Sequence, residues 1–331
     1  METIDTPRRR GLAAGAGLAL GALGLARPAR AQAWPARPIR ILVGFAPGGT
    51  ADTYARAIGE HWSTRLGQPV VVENRPGAGA LIALDAVAKA PPDGYTIGLA
   101  PTSSYWQARV LYKKMPFEPD KDLAVVTLLP AGPLIVASPT SHPARTMREM
   151  IDWAKTNRTA IGTFAPASSA HLVIETLNRG QGVKIEPIHY KGEAPMWVDA
   201  VSGQVQAAIG TYTTFSPMHA KGGLRPIGVT TMQRSPKLPD VPTLVEQGFT
   251  DRMLGLDSWT SLVAPGGTPD PVLARLADLA IEFADTPRGV QFREQFGISK
   301  KPTSLEEARR RYRDEAPVWI EMARSLGITL D

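Results

Sequence analysis

The sequence predicts an α/β protein with two doubly wound lobes, joined by a hinge that the chain crosses twice. Three observations predict this fold. Strand-like and helix-like segments alternate, the connections between them are short, and strands such as Ile39–Val43 are continuous apolar runs. Apolar strands that alternate with helices are typical of parallel sheets covered on both faces. The roughly 300 residues left after an N-terminal leader suit two such lobes better than one core.

The first lobe is predicted to comprise residues 34–126 plus 260–331. Its strands are expected at residues 39–43, 70–73 and 96–100, and its first helices at 53–66 and 79–90. A further strand-like segment at 123–129 spans the boundary to the second lobe. The chain is expected to return late, through a strand at 259–264 and amphipathic helices at 270–284 and 305–326. Pro317 is expected to kink the last helix, because proline removes a backbone donor.

The second lobe is predicted to comprise residues 127–259. Its strands are expected at 134–137, 160–164, 185–189, 205–210 and 224–229, and its helices at 147–155, 170–178 and 193–202. Thr146 is expected to cap the first helix, with Glu149 at the capping-box position. Ligands of such sheets bind outside the carboxyl ends of the strands, so two facing lobes form a cleft that can close.

Residues 1–33 are predicted to be an export signal that is cleaved near Ala33. Three consecutive arginines, Arg8 to Arg10, precede a short apolar segment at 11–26, and Ala31-Gln32-Ala33 fits the cleavage pattern. The paired arginines also permit twin-arginine export, so this route and the general secretory route both stay open. The expected location of the mature protein is the periplasm.

Composition excludes several classes of function. The chain has 37 Lys and Arg against 31 Asp and Glu, and part of this excess lies in the leader. No dense basic run with interleaved aromatic residues is present, so a nucleic-acid partner is not expected. The absence of cysteine excludes disulfides, thiol nucleophiles and cysteine–zinc sites. An exported protein without disulfides suits a bacterial periplasm.

The segment from Phe45 to Asp52 is the first candidate ligand-binding loop. It joins a buried strand to a helix start, where backbone N–H groups converge and can hold an anion. The loop has no lysine or arginine, so the binding would depend on amides and the helix dipole. The candidate residues are Phe45, Pro47, Gly48, Gly49, Thr50 and Asp52. Asp52 is expected to shape the loop, and a plain strand-to-helix turn is the alternative interpretation.

Other strand ends supply the rest of the candidate site. The segment 163–169 combines a strand end, a small-residue loop and a capped helix start, and could hold the other end of a ligand. Ser103 and Ser104 follow the strand at 96–100, where hydroxyls can donate to a carboxylate. A solvated loop is the alternative there. These segments add Ser103, Ser104, Thr163, Ala165, Ser168 and Ser169 to the candidate residues. Tyr212, which follows the strand expected at 205–210, completes the set.

Catalysis and metal binding are not predicted. His171 and Glu175 lie four residues apart on one helix, but two ligands are too few for a metal site. A secreted α/β hydrolase that uses Ser168 and His171 remains the alternative, although no orienting acid and no G-x-S-x-G elbow is evident. We assign no catalytic residue and no cofactor.

Several motifs occur in an order that matches a known family. They include VGFAPGGTADTYAR, VVENRPGAGA, AKAPPDGYTIGLA and IHYKGEAPMWVDAVSGQV. With them the chain resembles the periplasmic solute-binding proteins of tripartite tricarboxylate transporters, the Bug or TctC-like family. The resemblance implies a type II periplasmic binding protein fold, with the loops at 45–52 and 163–169 each holding a carboxylate. It also implies a monomer that delivers a small organic carboxylate to integral-membrane transporter subunits, or presents it to a sensor histidine kinase.

The second loop departs from the pattern of this family. Ala165, Pro166 and Ala167 stand where the family usually has a glycine-rich segment. Proline lacks an amide donor, and the extra methyl groups narrow the approach to the backbone. We therefore expect a less polar cleft, shaped for an aromatic or bulkier carboxylate.

Overall fold

The computed structural model of the protein describes Glu2, residues 34–255 and residues 259–330. Apart from Glu2, the predicted export signal lies outside the described residues. In the part of the chain that is described, no helix combines the length and apolar character needed to cross a membrane. Residues Arg37–Asp331 form one compact unit, and it contains two five-stranded sheets.

Ten strands build the two sheets. In chain order they are β1 (Ile39–Val43), β2 (Val70–Asn74), β3 (Thr96–Pro101), β4 (Leu123–Pro130), β5 (Leu134–Pro139), β6 (Thr159–Thr163), β7 (Ile185–His189), β8 (Ala207–Thr211), β9 (Leu224–Val229) and β10 (Trp259–Pro265). The first sheet has the order β2-β1-β3-β10-β4, and the second has the order β7-β6-β8-β5-β9.

Each sheet is mixed, because a strand that arrives from the other sheet runs against its neighbours. β1 pairs in parallel with β2 and β3, whereas β10 is antiparallel to β3 and β4. In the second sheet β6 pairs in parallel with β7 and β8, whereas β5 is antiparallel to β8 and β9. The predicted two-lobed α/β fold is therefore confirmed. β4 stays in the first sheet to Pro130, and the expected boundary between the lobes at residue 126 stays a prediction.

Eleven α-helices are found among the described residues. They are α1 (Thr50–Leu66), α2 (Leu81–Ala88), α3 (Ala108–Leu111), α4 (Pro119–Asp122), α5 (Met147–Ala154), α6 (Ser169–Gln181), α7 (Glu193–Val201), α8 (Tyr212–Ala220), α9 (Asp270–Asp285), α10 (Pro287–Gln295) and α11 (Leu305–Ser325). The sequence prediction missed the one-turn helices α3 and α4, α8, which contains a proline, and α10. α1 begins three residues earlier than expected, which makes Gly49 its N-cap.

The core lies between each sheet and its helices. β1 and β3 are almost wholly buried, as expected for strands covered on both faces. Helices α1, α2, α9 and α11 pack on the first sheet, and α6, α7 and α8 pack on the second. The largest fully buried side chains include Trp62 of α1 and Trp197 of α7. This packing holds the N-termini of the helices at the carboxyl ends of the parallel strands.

Candidate functional site

A small cavity lies between the two sheets, where loops from both meet. Its volume is about 40 Å³, which is room for a few water molecules. Its lining residues come from both sheets and from the loops that follow their strands: Phe45, Gly49, Thr50, Ala51, Pro101, Ala131, Leu134, Phe164, Ser169, Gly192, Glu193, Thr211, Trp259 and Thr260. Most of these side chains are apolar.

Two helix N-termini face this cavity. Thr50 is the first residue of α1 and Ser169 is the first residue of α6, and both line the cavity. Each helix follows the carboxyl end of a parallel strand, β1 in the first sheet and β6 in the second. Helix N-termini carry a partial positive charge and unpaired N–H groups. The arrangement therefore attracts negative charge from both sides.

Asp52 organises the first loop from within the protein. Its carboxylate accepts hydrogen bonds from Gly48 N at 2.9 Å and from Asn74 Nδ2 at 3.0 Å, and it pairs with Arg56 at 2.9 Å. The side chain is buried. Burial opposes ionisation, but the bonds from Arg56, Gly48 and Asn74 outweigh it and lower the pKa of Asp52 below its usual value. These contacts support the expectation that Asp52 shapes the loop.

The first loop donates several of its amides within the protein. Ala46 N donates to Lys191 O at 2.9 Å, which joins the loop to the segment after β7. Gly48 N donates to Asp52, and Thr50 N reaches Glu193 Oε2 at 3.4 Å. Pro47 has no N–H to offer. In this arrangement the amides of two candidate residues, Gly48 and Thr50, bind protein atoms, and so does the amide of Ala46 between them and β1.

Glu193, which the sequence analysis did not select, occupies the centre of this network. It is the first residue of α7 and is buried at 6% exposure. Its Oε2 accepts from Thr50 Oγ1 at 2.7 Å, and its Oε1 accepts from Thr211 N at 2.8 Å. Thr214 Oγ1 donates to Oε2 at 2.9 Å. The carboxylate thus links the start of α1 on the first sheet to α7 and α8 on the second.

The second loop is tied to two histidines, of which His171 is buried. Ser168 caps α6 and accepts from His171 N at 3.2 Å, and Ala167 N donates to His171 Nδ1 at 3.2 Å. Thr163 Oγ1 donates to Ala165 O at 3.2 Å and also contacts His189 Nδ1. Ala167 has a φ of +57°, a left-handed conformation that favours glycine. Of the candidates in this loop, Ser169 reaches the cavity.

Ser168 and His171 do not form the pair that a hydrolase needs. Both ring nitrogens of His171 face other groups, Nδ1 the amide of Ala167 and Nε2 the carboxylate of Glu175 at 3.5 Å. Ser168 Oγ accepts from the backbone of His171 and is 1% exposed. Within the described residues, no three His, Cys, Asp or Glu side chains are grouped so that they could hold a metal ion.

The remaining candidates lie outside the cavity lining. Ser103 and Ser104 belong to a buried 3₁₀ turn after β3, and Pro101 is the residue of that segment that lines the cavity. Tyr212 begins α8, and its ring lies 6.3 Å from that of Phe215. Four candidates line the cavity directly, namely Phe45, Gly49, Thr50 and Ser169.

Two residues that the sequence analysis missed lie, like the candidates that it selected, where a strand ends or a helix begins. Glu193 begins the helix after β7, and Thr211 ends β8 directly before α8. A search for a strand that is followed by a helix start, carried out along the whole second sheet, would have selected both Glu193 and Thr211. Trp259 and Phe164 line the cavity because of tertiary packing, for which the local sequence carries no signal.

A wider cavity has a volume of about 340 Å³. Trp259 lines both this cavity and the smaller one, and the segments 231–236 and 297–300 form other parts of its wall. No N-terminus of α1 or α6 lines it. The smaller cavity between the strand ends therefore remains the better candidate for an anion.

The sequence of the whole chain is similar to proteins of one family. The family described as "Tripartite tricarboxylate transporter family receptor" (TctC) matches residues 54–327. Protein BugT of Bordetella pertussis is 31% identical over 317 residues, which cover 95% of this chain and 97% of BugT. A UPF0065 protein of Bordetella bronchiseptica is 37% identical over 270 residues, 79% of each chain.

Solved structures with the same fold include receptors with bound acids. The periplasmic binding protein BugD superposes with a TM-score of 0.82 at 29% identity, over 89% of this chain and 99% of BugD. Rpa4515 of R. palustris, solved with adipate, superposes with a TM-score of 0.83 at 31% identity, over 89% of this chain and 99% of Rpa4515. MatC of Rhodopseudomonas palustris, solved with malate, superposes with a TM-score of 0.81 at 27% identity, over 87% of this chain and 99% of MatC.

Proposed function

Since this chain belongs to the tripartite tricarboxylate transporter receptor family, whose members are periplasmic solute-binding receptors and not enzymes, we propose that it captures a small organic carboxylate between its two sheets. The meeting of the α1 and α6 N-termini at one cavity is the observation that carries this proposal. Related receptors were solved with adipate and with malate, and both of these ligands are carboxylates.

The helix ends explain how a receptor could hold an anion without a basic side chain. Among the described residues that line the cavity there is no lysine or arginine. An anion there would be stabilised by the partial charges of the two helices and by hydroxyl and amide donors. Such a site would bind the anion without offering a nucleophile or a metal.

Ligand entry requires the two sheets to move apart. We propose that they are the cores of two lobes, the first containing β1–β4 and β10 and the second containing β5–β9. A cavity of about 40 Å³ is too small for an organic acid of several carbons. The hydrogen bond from Ala46 N to Lys191 O would break on opening and re-form on closing. A ligand favours closure to the extent that it binds the closed form better.

Delivery to integral-membrane transporter subunits is the second part of the proposal. A signal peptide and release into the periplasm would place the receptor next to such a transporter. Those subunits would carry out the transport step itself.

A thermal-shift screen of organic acids tests the binding function. A ligand at one hundred times its Kd raises the free energy of unfolding by about 2.7 kcal/mol. We expect at least one carboxylic acid to raise the melting temperature, and its primary amide to raise it less, because the amide is uncharged. If no acid changes the melting temperature while the protein melts cooperatively, the receptor function is wrong for this class of ligand.

A further inference from the structure

Glu193 places a carboxylate of the protein at the N-terminus of α1. Oε2 accepts from Thr50 Oγ1 at 2.7 Å and lies 3.4 Å from Thr50 N. This is the helix end where the proposed function would place an anionic group of the ligand. The protein therefore fills one of the two anion positions of its own cavity.

The second sheet holds the same carboxylate firmly in place. Thr211 N donates to Oε1 at 2.8 Å, and the hydroxyls of Thr211 and Thr214 lie 3.0 Å and 2.9 Å from Oε2. Both oxygens are thus engaged, and the side chain is 6% exposed. Glu193 also begins α7, while Thr211 is the N-cap of α8. Three helix N-termini stabilise its negative charge.

A second carboxylate at this position would meet strong opposition. Among the described residues that line the cavity, Glu193 is the one with a charged side chain. A ligand carboxylate at the start of α1 would approach Glu193 with no basic side chain among the described lining residues to separate the two, and like charges that meet in a buried site repel strongly. If the ligand displaced Glu193 instead, the buried carboxylate of Glu193 would lose its hydrogen-bond donors, which is unfavourable.

The other helix N-terminus at the cavity is that of α6, whose first residue is Ser169, and most of the lining side chains are apolar. Phe45 and Phe164 face each other edge to face with ring centroids 6.3 Å apart, and Leu134 and Trp259 complete the apolar surface. Such walls gain by contact with hydrocarbon and offer little to a second charged group.

We propose that Glu193 is a built-in carboxylate that selects ligands with a single carboxylate and an apolar body. The ligand carboxylate lies at the start of α6, and the apolar body extends towards Glu193. The inference rests on the proposed function, since it specifies which carboxylates the receptor takes. Glu193 acts here as the residue that determines specificity against dicarboxylates.

Titration calorimetry with matched acids tests this inference. Hexanoate and adipate share a six-carbon chain and differ in one carboxylate, and benzoate and terephthalate form an aromatic pair. We expect the native protein to bind at least one monoacid at least about tenfold more tightly than its diacid partner. In Glu193→Ser, which leaves the donors of Thr50 and Thr211 free, the diacid should gain at least about tenfold relative to the monoacid.

Glu193→Gln and Glu186→Gln complete the experiment. Glu193→Gln keeps the shape of the side chain and removes its charge, so it should also lower the preference for the monoacid, and it serves as the test if Glu193→Ser does not fold. Glu186 lies on β7 and pairs with the exposed Arg158, so its variant should keep the native preference. Melting curves without ligand establish that each variant is folded.

The outcomes separate this inference from the proposed function. If the native protein binds each diacid as tightly as its monoacid partner, or if both Glu193 variants keep the native ratio, the inference is overturned and the receptor function stands. If no acid binds to any of these proteins, the proposed function fails and the inference falls with it.

Discussion

The imidazole rings of His171 and His189 lie edge to face, with their centroids 4.5 Å apart. His171 is part of α6 and His189 ends β7, so the pair joins the helix that begins at the cavity to the neighbouring strand. His189 Nδ1 also contacts Thr163 Oγ1 at 2.7 Å. Burial and the nearby His171 disfavour a proton on His189 and lower its pKa to about 4.

The pKa of His189 predicts a loss of stability in mild acid. The unfolded chain binds a proton at this residue near pH 6.5, whereas the folded protein binds it only near pH 4. The free energy of unfolding should therefore fall as the pH decreases from about 6.5 towards 4, and this contribution should be constant above that window. Because the ring is partly exposed, we expect a loss of about 1 kcal/mol.

Melting temperatures measured between pH 4 and pH 7.5 check this prediction. His189→Gln should show a smaller decrease than the native protein, because glutamine does not titrate. Burial also lowers the pKa values of His61 and His142, so part of the decrease should persist. The same decrease in the variant as in the native protein would contradict the prediction.

Replacement of Asp52 should destabilise the protein strongly. Asp52→Ala leaves Gly48 N, Asn74 Nδ2 and the Arg56 guanidinium without their shared acceptor. We expect the free energy of unfolding to fall by about 3 kcal/mol, measured by urea denaturation. Asp152→Ala is the control, because Asp152 makes an exposed pair with Lys155 and its loss should not shift the midpoint measurably. Equal effects of the two variants would be evidence against the shaping role of Asp52.

Ala167→Gly should stabilise the second loop. Alanine at φ +57° carries a steric cost of about 1–2 kcal/mol, which glycine avoids. Part of that gain is offset by the greater freedom of glycine in the unfolded chain, so we expect a net gain of about 0.5–1 kcal/mol in thermal unfolding. Ala170→Gly, in the first turn of α6, should have the opposite sign, because there the helical backbone favours alanine. A loss of stability in both variants would show that the strain at Ala167 is not relieved.

Gly49→Val should weaken ligand binding while the fold persists. A Cβ at Gly49 would lie 3.7 Å from Ala46 O, an ordinary contact, and φ is −80°, which valine tolerates. The Val side chain would project from a residue that lines the cavity. We expect affinity for the best acid in the thermal screen to fall more than about tenfold, or about 1.4 kcal/mol.

Gly180→Val is the matched control for this binding test. Gly180 lies in α6, and a Cβ there meets no atom within 4 Å. Calorimetry should give a native Kd for this variant. Unchanged affinity in Gly49→Val would remove the first loop from the binding site.

Local patterns predicted the elements that position the site. The apolar run at β1, the glycines before α1 and the serine cap of α6 each depend on near neighbours in the chain, and the structure confirms all three elements. The start of α1 was misplaced by three residues, because Thr50 and Ala51 are compatible with either loop or helix. α8 was missed because Pro217 lies inside it.

The sequence by itself determined the α/β class, the family and the presence of the two helices that begin at the cavity, because periodicity, capping and motif order are properties of short segments. Only the tertiary structure decided that Glu193 reaches Thr50, 143 residues away along the chain. A buried carboxylate is stable only where several donors converge, and those donors come from the start of α1 on one sheet and from the end of β8 and the start of α8 on the other. Their convergence depends on how the sheets pack, so no local pattern could predict which carboxylate occupies the start of α1.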